Sequence, residues 1–196
     1  MKHTRGTHVV QFFDTTTSLV DTITAYVADG LSRGEQVVVV AQPAHSRALG
    51  RRLASTGVPS AAAVQNGDLI VLDAVRLLHT LLVGGVPDAA RFEATVGSLV
   101  RRLTASGRAV RIYGEMVDVL AAEDDLTEAR QLEELWNRLA DSETFALFCG
   151  YSALHFGNSR SAAALRDICA CHSDVQTNAA DELATWLVDS IRTAHA

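Results

Sequence analysis

Lysine is nearly absent: Lys2 is the only one among 17 basic residues. That skew toward arginine reads as a coding bias and carries no functional information. The chain has no basic stripe either. With a net charge of −6 and a pI near 5.6, it lacks the electrostatic footprint of a nucleic-acid binder. The pairs Arg51-Arg52 and Arg101-Arg102 read as solvated helix faces. No apolar run approaches the roughly 18 residues of a membrane span. Met1 to Val10 has no apolar core of leader length, so cytoplasm is the expected location and no membrane partner is expected. The 3 cysteines are too few and of the wrong parity for a disulfide framework. No G-x-S-x-G elbow occurs and no nucleophile stands beside a base, so an enzyme is not expected and no catalytic residue is assigned.

What is present is a core. At 196 residues and 48% hydrophobic, the chain suits one α/β domain with a short extension. His8 to Phe13 reads as a strand. Leu19, Val20, Ile23, Tyr26, Val27 and Leu31 then follow helical spacing. The run Val37-Val38-Val39-Val40 marks a strand buried on both faces. Leu69–Asp73, Val110–Glu115 and Phe145–Cys149 are further strands. Between them lie a short helix carrying Leu77, Leu78 and Leu81, a long one from Ala89 to Leu103, and one bearing Leu132, Leu135, Trp136 and Leu139. A small-residue helix covers 161–170, and an amphipathic helix with Leu183, Leu187 and Ile191 covers 178–195. This alternation predicts an α/β three-layer sandwich around a mostly parallel sheet of at least five strands. Residues 1–175 form the domain. The segment 176–196 packs on it or extends from it, and its helix could instead dock a partner or pair with a second copy.

In such a sheet the first strand-to-helix turn is where a phosphate loop sits. Here the turn is Phe13-Asp14-Thr15-Thr16-Thr17-Ser18, with neither glycine nor lysine. A phosphate cradle needs converging backbone N–H groups and a cation, so nucleotide binding is not expected and no cofactor is assigned. Ligands bind beyond the strand carboxyl ends. Those ends offer Phe13, Asp14, Gln42, His45, Asp73, Glu115, Cys149 and Tyr151, and His172 joins them as a further candidate. Glu115, Gln42 and His172 would be polar contacts, with Tyr151 and Phe13 as apolar walls. The simpler roles are helix capping for Asp14 and Asp73 and core packing for the aromatics. Cys149, Cys169, Cys171 and His172 could gather around a soft metal. The Cys-x-Cys-His spacing is unusual for structural zinc, however, and buried thiols are the simpler reading, so no metal is assigned. His8 and His79 read as structural or exposed.

Several segments together resemble the MEDS domain, the methanogen/methylotroph sensory domain named from a dichloromethane-responsive regulator. They are His8-Val9-Val10-Gln11-Phe12-Phe13, Gly34-Glu35-Gln36-Val37-Val38-Val39, Leu72-Asp73-Ala74, Pro87-Asp88-Ala89-Ala90-Arg91-Phe92, Gly114-Glu115-Met116-Val117, Leu132-Glu133-Glu134-Leu135-Trp136-Asn137 and Ile168-Cys169-Ala170-Cys171-His172-Ser173. The resemblance implies a RecA/KaiC-like, P-loop NTPase-type core lacking Walker A. Glu115 stands about where the Walker B acid falls, and Ala41-Gln42-Pro43 replaces the paired glutamates of the second strand. It further implies a non-catalytic sensor of a small, largely apolar hydrocarbon derivative. Such a sensor would signal through a protein partner such as a kinase, an anti-sigma factor or a transcription regulator. A ligand-free interaction module in a partner-switching or two-component pathway is the alternative.

Overall fold

The computed structural model describes residues 6–157 and 161–193. The first half of the chain runs β1 (His8–Phe13), α1 (Thr16–Ser32), β2 (Gln36–Ala41), α2 (Pro43–Ser55), α3 (Ser60–Asn66), β3 (Leu69–Asp73) and α4 (Ala74–Leu81). A small hairpin of β4 (Leu82–Val83) and β5 (Val86–Pro87) follows, then α5 (Ala89–Phe92), a π turn at Glu93–Gly97 and α6 (Ser98–Thr104). The second half runs β6 (Val110–Gly114), α7 (Met116–Ala122), α8 (Leu126–Ser142), β7 (Ala146–Ser152), a 3₁₀ turn at Ala153–Phe156, α9 (Ser161–Ala170), β8 (Asp174–Thr177) and α10 (Glu182–Thr193).

The main sheet has 6 strands in the order β3-β2-β6-β7-β1-β8. Every neighbouring pair in it is parallel. Helices cover both faces, which is why Val37 to Val40 are buried without alternation. One core lies under α1, α2 and α3 and includes Ile23, Tyr26, Leu49, Tyr113 and Phe148. The larger core, on the opposite face, joins α4 through α10 through residues such as Phe92, Val100, Leu132, Trp136 and Leu187. No helix among the described residues is long and apolar enough to cross a membrane.

Three features differ from the sequence expectation. β7 continues three residues past Cys149, to Ser152. β8 is a sixth strand: Asp-Val-Gln-Thr has no apolar run to announce it, and its register on β1 (Val10 opposite Val175) comes from tertiary pairing. The helix expected over 89–103 is interrupted by the π turn, an extra residue inserted where Gly97 passes the Glu93 side chain. The amphipathic C-terminal helix packs through Ala184, Leu187 and Val188 into the larger core. Residues 194–195 of its expected span lie outside the described residues.

Among the described residues, Arg111 is the largest fully buried side chain, and it was not singled out by sequence. Its guanidinium pairs with Glu35 and Asp29, donates from Nη1 to the Tyr26 carbonyl at 2.9 Å, and sits 4.8 Å over the Tyr26 ring. Gly30 on α1 makes room for it: a Cβ there would lie 2.6 Å from Arg111 Cδ and 2.8 Å from Val37 Cγ2. Gly30→Ala gains about 1 kcal/mol of helix propensity. Overpacking against a side chain held at both ends outweighs that gain, with typical costs of about 1–3 kcal/mol. A thermal melt should show a Tm below wild type, and an equal or higher Tm would mean that Arg111 moves aside freely.

Candidate functional site

The first turn is closed. Asp14 accepts hydrogen bonds from the backbone N–H groups of Leu183 and Ala184, both at 2.8 Å, at the start of α10. In return Asp181 accepts from the Asp14 backbone N–H at 3.1 Å and from the Ser18 hydroxyl. Asn178 donates to Ser18 Oγ and Thr22 Oγ1. Thr15 caps α1 through the Ser18 N–H. The position of a phosphate loop therefore holds a reciprocal cap between two helices. The carboxylate of Asp14 takes the N–H groups at the start of α10, and Asp181 takes the backbone N–H of Asp14 itself. The residues present do not fit a Mg²⁺-nucleotide. Asp73 is likewise a cap, accepting from the Arg76 N–H of α4.

Glu115 is buried at the carboxyl end of β6, with both oxygens engaged. Oε2 accepts from the Gln42 backbone N–H at 2.8 Å and lies 2.9 Å from His45 Nδ1, while Oε1 accepts from the Tyr113 hydroxyl at 3.0 Å. The hydrogen bond to Glu115 raises the His45 pKa above its ordinary value, against the opposing effect of burial and with help from the charge of Asp118. Burial and the Glu115 charge push the Tyr113 hydroxyl far above the usual range. Asp118, in the first turn of α7, extends the network. It accepts from Gln42 Nε2 at 2.9 Å and from the Ser152 N–H at 2.7 Å, and lies 3.2 Å from His155 Nε2. Phe13 meets His45 edge-on at 6.4 Å between ring centroids. Gln42, His45, Phe13 and Glu115 are thus neighbours. Asp118 and His155 were missed by sequence reading, although Asp118 follows Glu115 by three residues in the first helical turn.

Cys149, Tyr151 and His172 do not belong to that network. They face the opposite side of the sheet, against α8. His8, Val10 and Phe12 on β1 share that face with Cys149 and Tyr151 on β7, in register Val10 to Cys149 and Phe12 to Tyr151. The turn after α9 is pinned to β1 by the Ser173 N–H, which donates to the His8 carbonyl at 2.7 Å, and this lowers His172 into the same space. Above them Glu133 projects from the apolar stripe of α8 and is fully buried. It lies 3.2 Å from His8 Nε2 and 3.3 Å from His172 Nε2, and accepts from the Tyr151 hydroxyl at 3.0 Å and the Cys149 thiol at 3.4 Å. Burial disfavours charge on Glu133, but the facing His172 and His8 outweigh it and hold the carboxyl well below the usual range. Burial, then the Glu133 charge, pushes the Cys149 and Tyr151 protons far up.

The ligand site expected from sequence is therefore split. Glu115, Gln42, His45 and Phe13 form one cluster and Cys149, Tyr151 and His172 another. Asp14 and Asp73 are helix caps. The soft-metal grouping is also corrected. Cys149 and His172 meet, but their companions are His8 and Glu133 rather than Cys169 and Cys171. His8, read as structural or exposed, is in the centre of the cluster. The signal for Glu133 was available: it falls on the buried stripe Ala129, Leu132, Trp136 of an otherwise amphipathic helix.

Cavities lie away from both networks. One of about 420 Å³ opens between α9, β8 and α10, lined by Arg166, Cys169, Ala170, Val175, Val188 and Arg192, with Ile191 completing an aliphatic wall. Another, about 220 Å³, lies behind α1 beside Tyr26, Arg111 and Phe148.

None of the curated proteins compared with the chain matches it. Among solved structures, it is similar to the crystal structure of a KaiC-like protein from the hyperthermophilic archaeon Pyrococcus horikoshii OT3. The two share 20% identity and a TM-score of 0.52, over 76% of this chain and 63% of that one. At that identity the likeness concerns the fold, which is RecA/KaiC-like, and the chain spans less than two thirds of its neighbour's length. Residues 7–173 match the family described as MEDS: MEthanogen/methylotroph, DcmR Sensory domain. With most of its length inside that match, the chain belongs to the MEDS family of sensory domains.

Proposed function

We propose that this chain is a non-catalytic signal-transduction sensor that binds a small, largely apolar molecule and reports its presence to a partner protein. The observation that carries this reading is the closed first turn. A RecA/KaiC-like frame whose first turn is tied to α10 through Asp14 and Asp181, and whose Glu115 is fully engaged by its neighbours, suits a use other than nucleotide chemistry. The aliphatic cavity between α9 and α10 suits a small hydrocarbon derivative, with Arg166 and Arg192 available to a polar end. Its walls include Val188 and Ile191 of α10, the helix whose N-terminus is held by Asp14. Filling the cavity biases the seating of α10, and a ligand shifts that seating only by its differential affinity for the two positions. The output partner is a kinase, an anti-sigma factor or a transcription regulator.

Thermal shift with dichloromethane, methanol and short alkyl amines tests the reading. A binder at 100 times its Kd should stabilise the fold by about 2.7 kcal/mol. Ala170→Phe, which fills the cavity from an exposed position, should abolish that gain and leave the unliganded Tm near wild type. Stabilisation by Mg²⁺-ATP, or an organic ligand whose effect survives Ala170→Phe, contradicts it.

A second reading, a ligand-free interaction module, is favoured by one observation: Trp186 on α10 is 62% exposed. Capture of one stoichiometric partner that Trp186→Ala abolishes, with no stabilisation by any of these small molecules, supports that alternative.

A further inference from the structure

The Nε2 atoms of His8 and His172, a Glu133 oxygen and the Cys149 sulfur come from four separate parts of the chain and lie within 4.8 Å of one another. We propose that these four groups bind one divalent cation of the zinc class. The inference is independent of the sensor reading, which concerns the separate cavity between α9, β8 and α10.

The hydrogen bonds around the cluster settle which nitrogens carry protons. His172 Nδ1 is 2.7 Å from the Ile168 carbonyl, which can only accept, so Nδ1 holds the hydrogen. Asn137 Nδ2 donates to the Cys171 carbonyl at 2.9 Å, which turns Asn137 Oδ1 toward His8 Nδ1 at 2.8 Å, so that nitrogen is also the donor. Each neutral ring then aims a bare Nε2 lone pair at the carboxylate of Glu133. Lone pair against carboxylate is repulsive. Protonating one ring pairs it with the carboxylate but leaves the other Nε2 bare, and protonating both places two cations side by side, with ring centroids 4.0 Å apart. His172 Nε2 is buried and has no hydrogen-bond partner among the described residues, despite lying 3.3 Å from Glu133 Oε1. A metal ion resolves all three problems at once.

The geometry and the charge agree with this. Donor separations of 3.2 Å (His8 to Glu133), 3.3 Å (His8 to Cys149) and 3.4 Å (Cys149 to Glu133) are close to the edges of a tetrahedron. With metal–ligand bonds of about 2.0–2.3 Å those edges are about 3.3–3.8 Å. The outer partners are those a bound imidazole uses, a carbonyl for His172 and a side-chain oxygen for His8, while Tyr151 orients Glu133. On binding, the Cys149 thiol and any protonated ring Nε2 lose their protons to solvent, and the sulfur–metal and nitrogen–metal bonds form. One thiolate, one carboxylate and two neutral imidazoles then bring a divalent ion to zero net charge, as a buried site requires. Two imidazoles and a thiolate select a borderline ion over magnesium or calcium. Cys169 and Cys171 take no part, because they lie outside the set.

Cobalt(II) alone is the probe. The full chain is stripped with a chelator and titrated. One equivalent should bind saturably, with a thiolate-to-cobalt charge-transfer band and release of a proton, and zinc should displace it. Cys149→Ser should lose the band, the Cys169→Ser/Cys171→Ser double variant should keep it, and Tyr151→Phe should weaken binding about 10- to 100-fold. Wild-type protein that gives no saturable band, or a band that follows Cys169 and Cys171 instead of Cys149, overturns the site. The wild-type titration decides the matter even if Cys149→Ser fails to fold.

Discussion

Glu133→Ala should destabilise the metal-free domain by about 3–5 kcal/mol, the cost of removing one partner from a buried ion-paired cluster. For a chain of this length that is a fall in Tm of about 6–20 °C. The size follows from what is stranded. The Tyr151 hydroxyl loses its acceptor, the Cys149 thiol loses its own, and both rings face a void inside the core. Glu133→Gln separates the causes. Its carbonyl oxygen still accepts from Tyr151, and its amide N–H₂ donates to a bare Nε2, so in chelator it should recover most of the lost stability. It should nevertheless fail to hold cobalt tightly, because a neutral amide is a poor ligand beside a thiolate. Chemical denaturation of both variants, with and without metal, reads the difference. Equal losses for alanine and glutamine would mean that the charge of Glu133, not its hydrogen bonding, is what the core requires.

The second large effect is at Glu115. Truncation to alanine leaves the Gln42 N–H and the Tyr113 hydroxyl buried and unpaired, at about 1–3 kcal/mol each. It also removes the pH dependence of His45. That ring faces Glu115 and Asp118 from α2, with Phe13 edge-on and His155 on the far side of Asp118. Its pKa is raised on folding, so its stabilisation is complete below the unfolded value of about 6.5 and disappears as pH rises through the higher folded value. Wild type should therefore lose stability across that window relative to His45→Gln, a comparison in which the other histidines cancel. A difference that stays constant from pH 5 to pH 9 would show that His45 gains nothing from Glu115.

Much of the frame was legible because its signals are local. The Val37–Val40 run, the stripe of α8 and the missing glycines after β1 each speak from a few adjacent residues. The family motifs added the order of the elements. What stayed hidden depends on pairing across the chain. β8 becomes a strand only because β1 offers it an edge. The strand-end residues were expected at one site, yet a side chain's place at a strand end leaves open which face it takes. Tyr113 and Cys149 lie on adjacent strands and belong to opposite cores. Asp14 could be recognised as a capping residue but not assigned its helix, since α10 begins more than 160 residues later. Glu133 and His8 were the costliest omissions. A carboxylate in an apolar stripe needs a buried partner, and the sequence contained one at the start of the first strand.

The placement of β1 also governs how the chain is made. Its two neighbours are β7 and β8, the last strands to be synthesised. The emerging polypeptide can assemble β2, β3 and β6, but β1, buried at every position in the finished fold, must wait unpaired until β7 has left the ribosome and keeps one open edge until residues near 177 follow. A chain stalled before β7 carries an apolar edge ready to pair with another copy. Nascent chains halted after α8 should therefore recruit chaperones strongly, and the emergence of β8 should mark the point at which that demand ends.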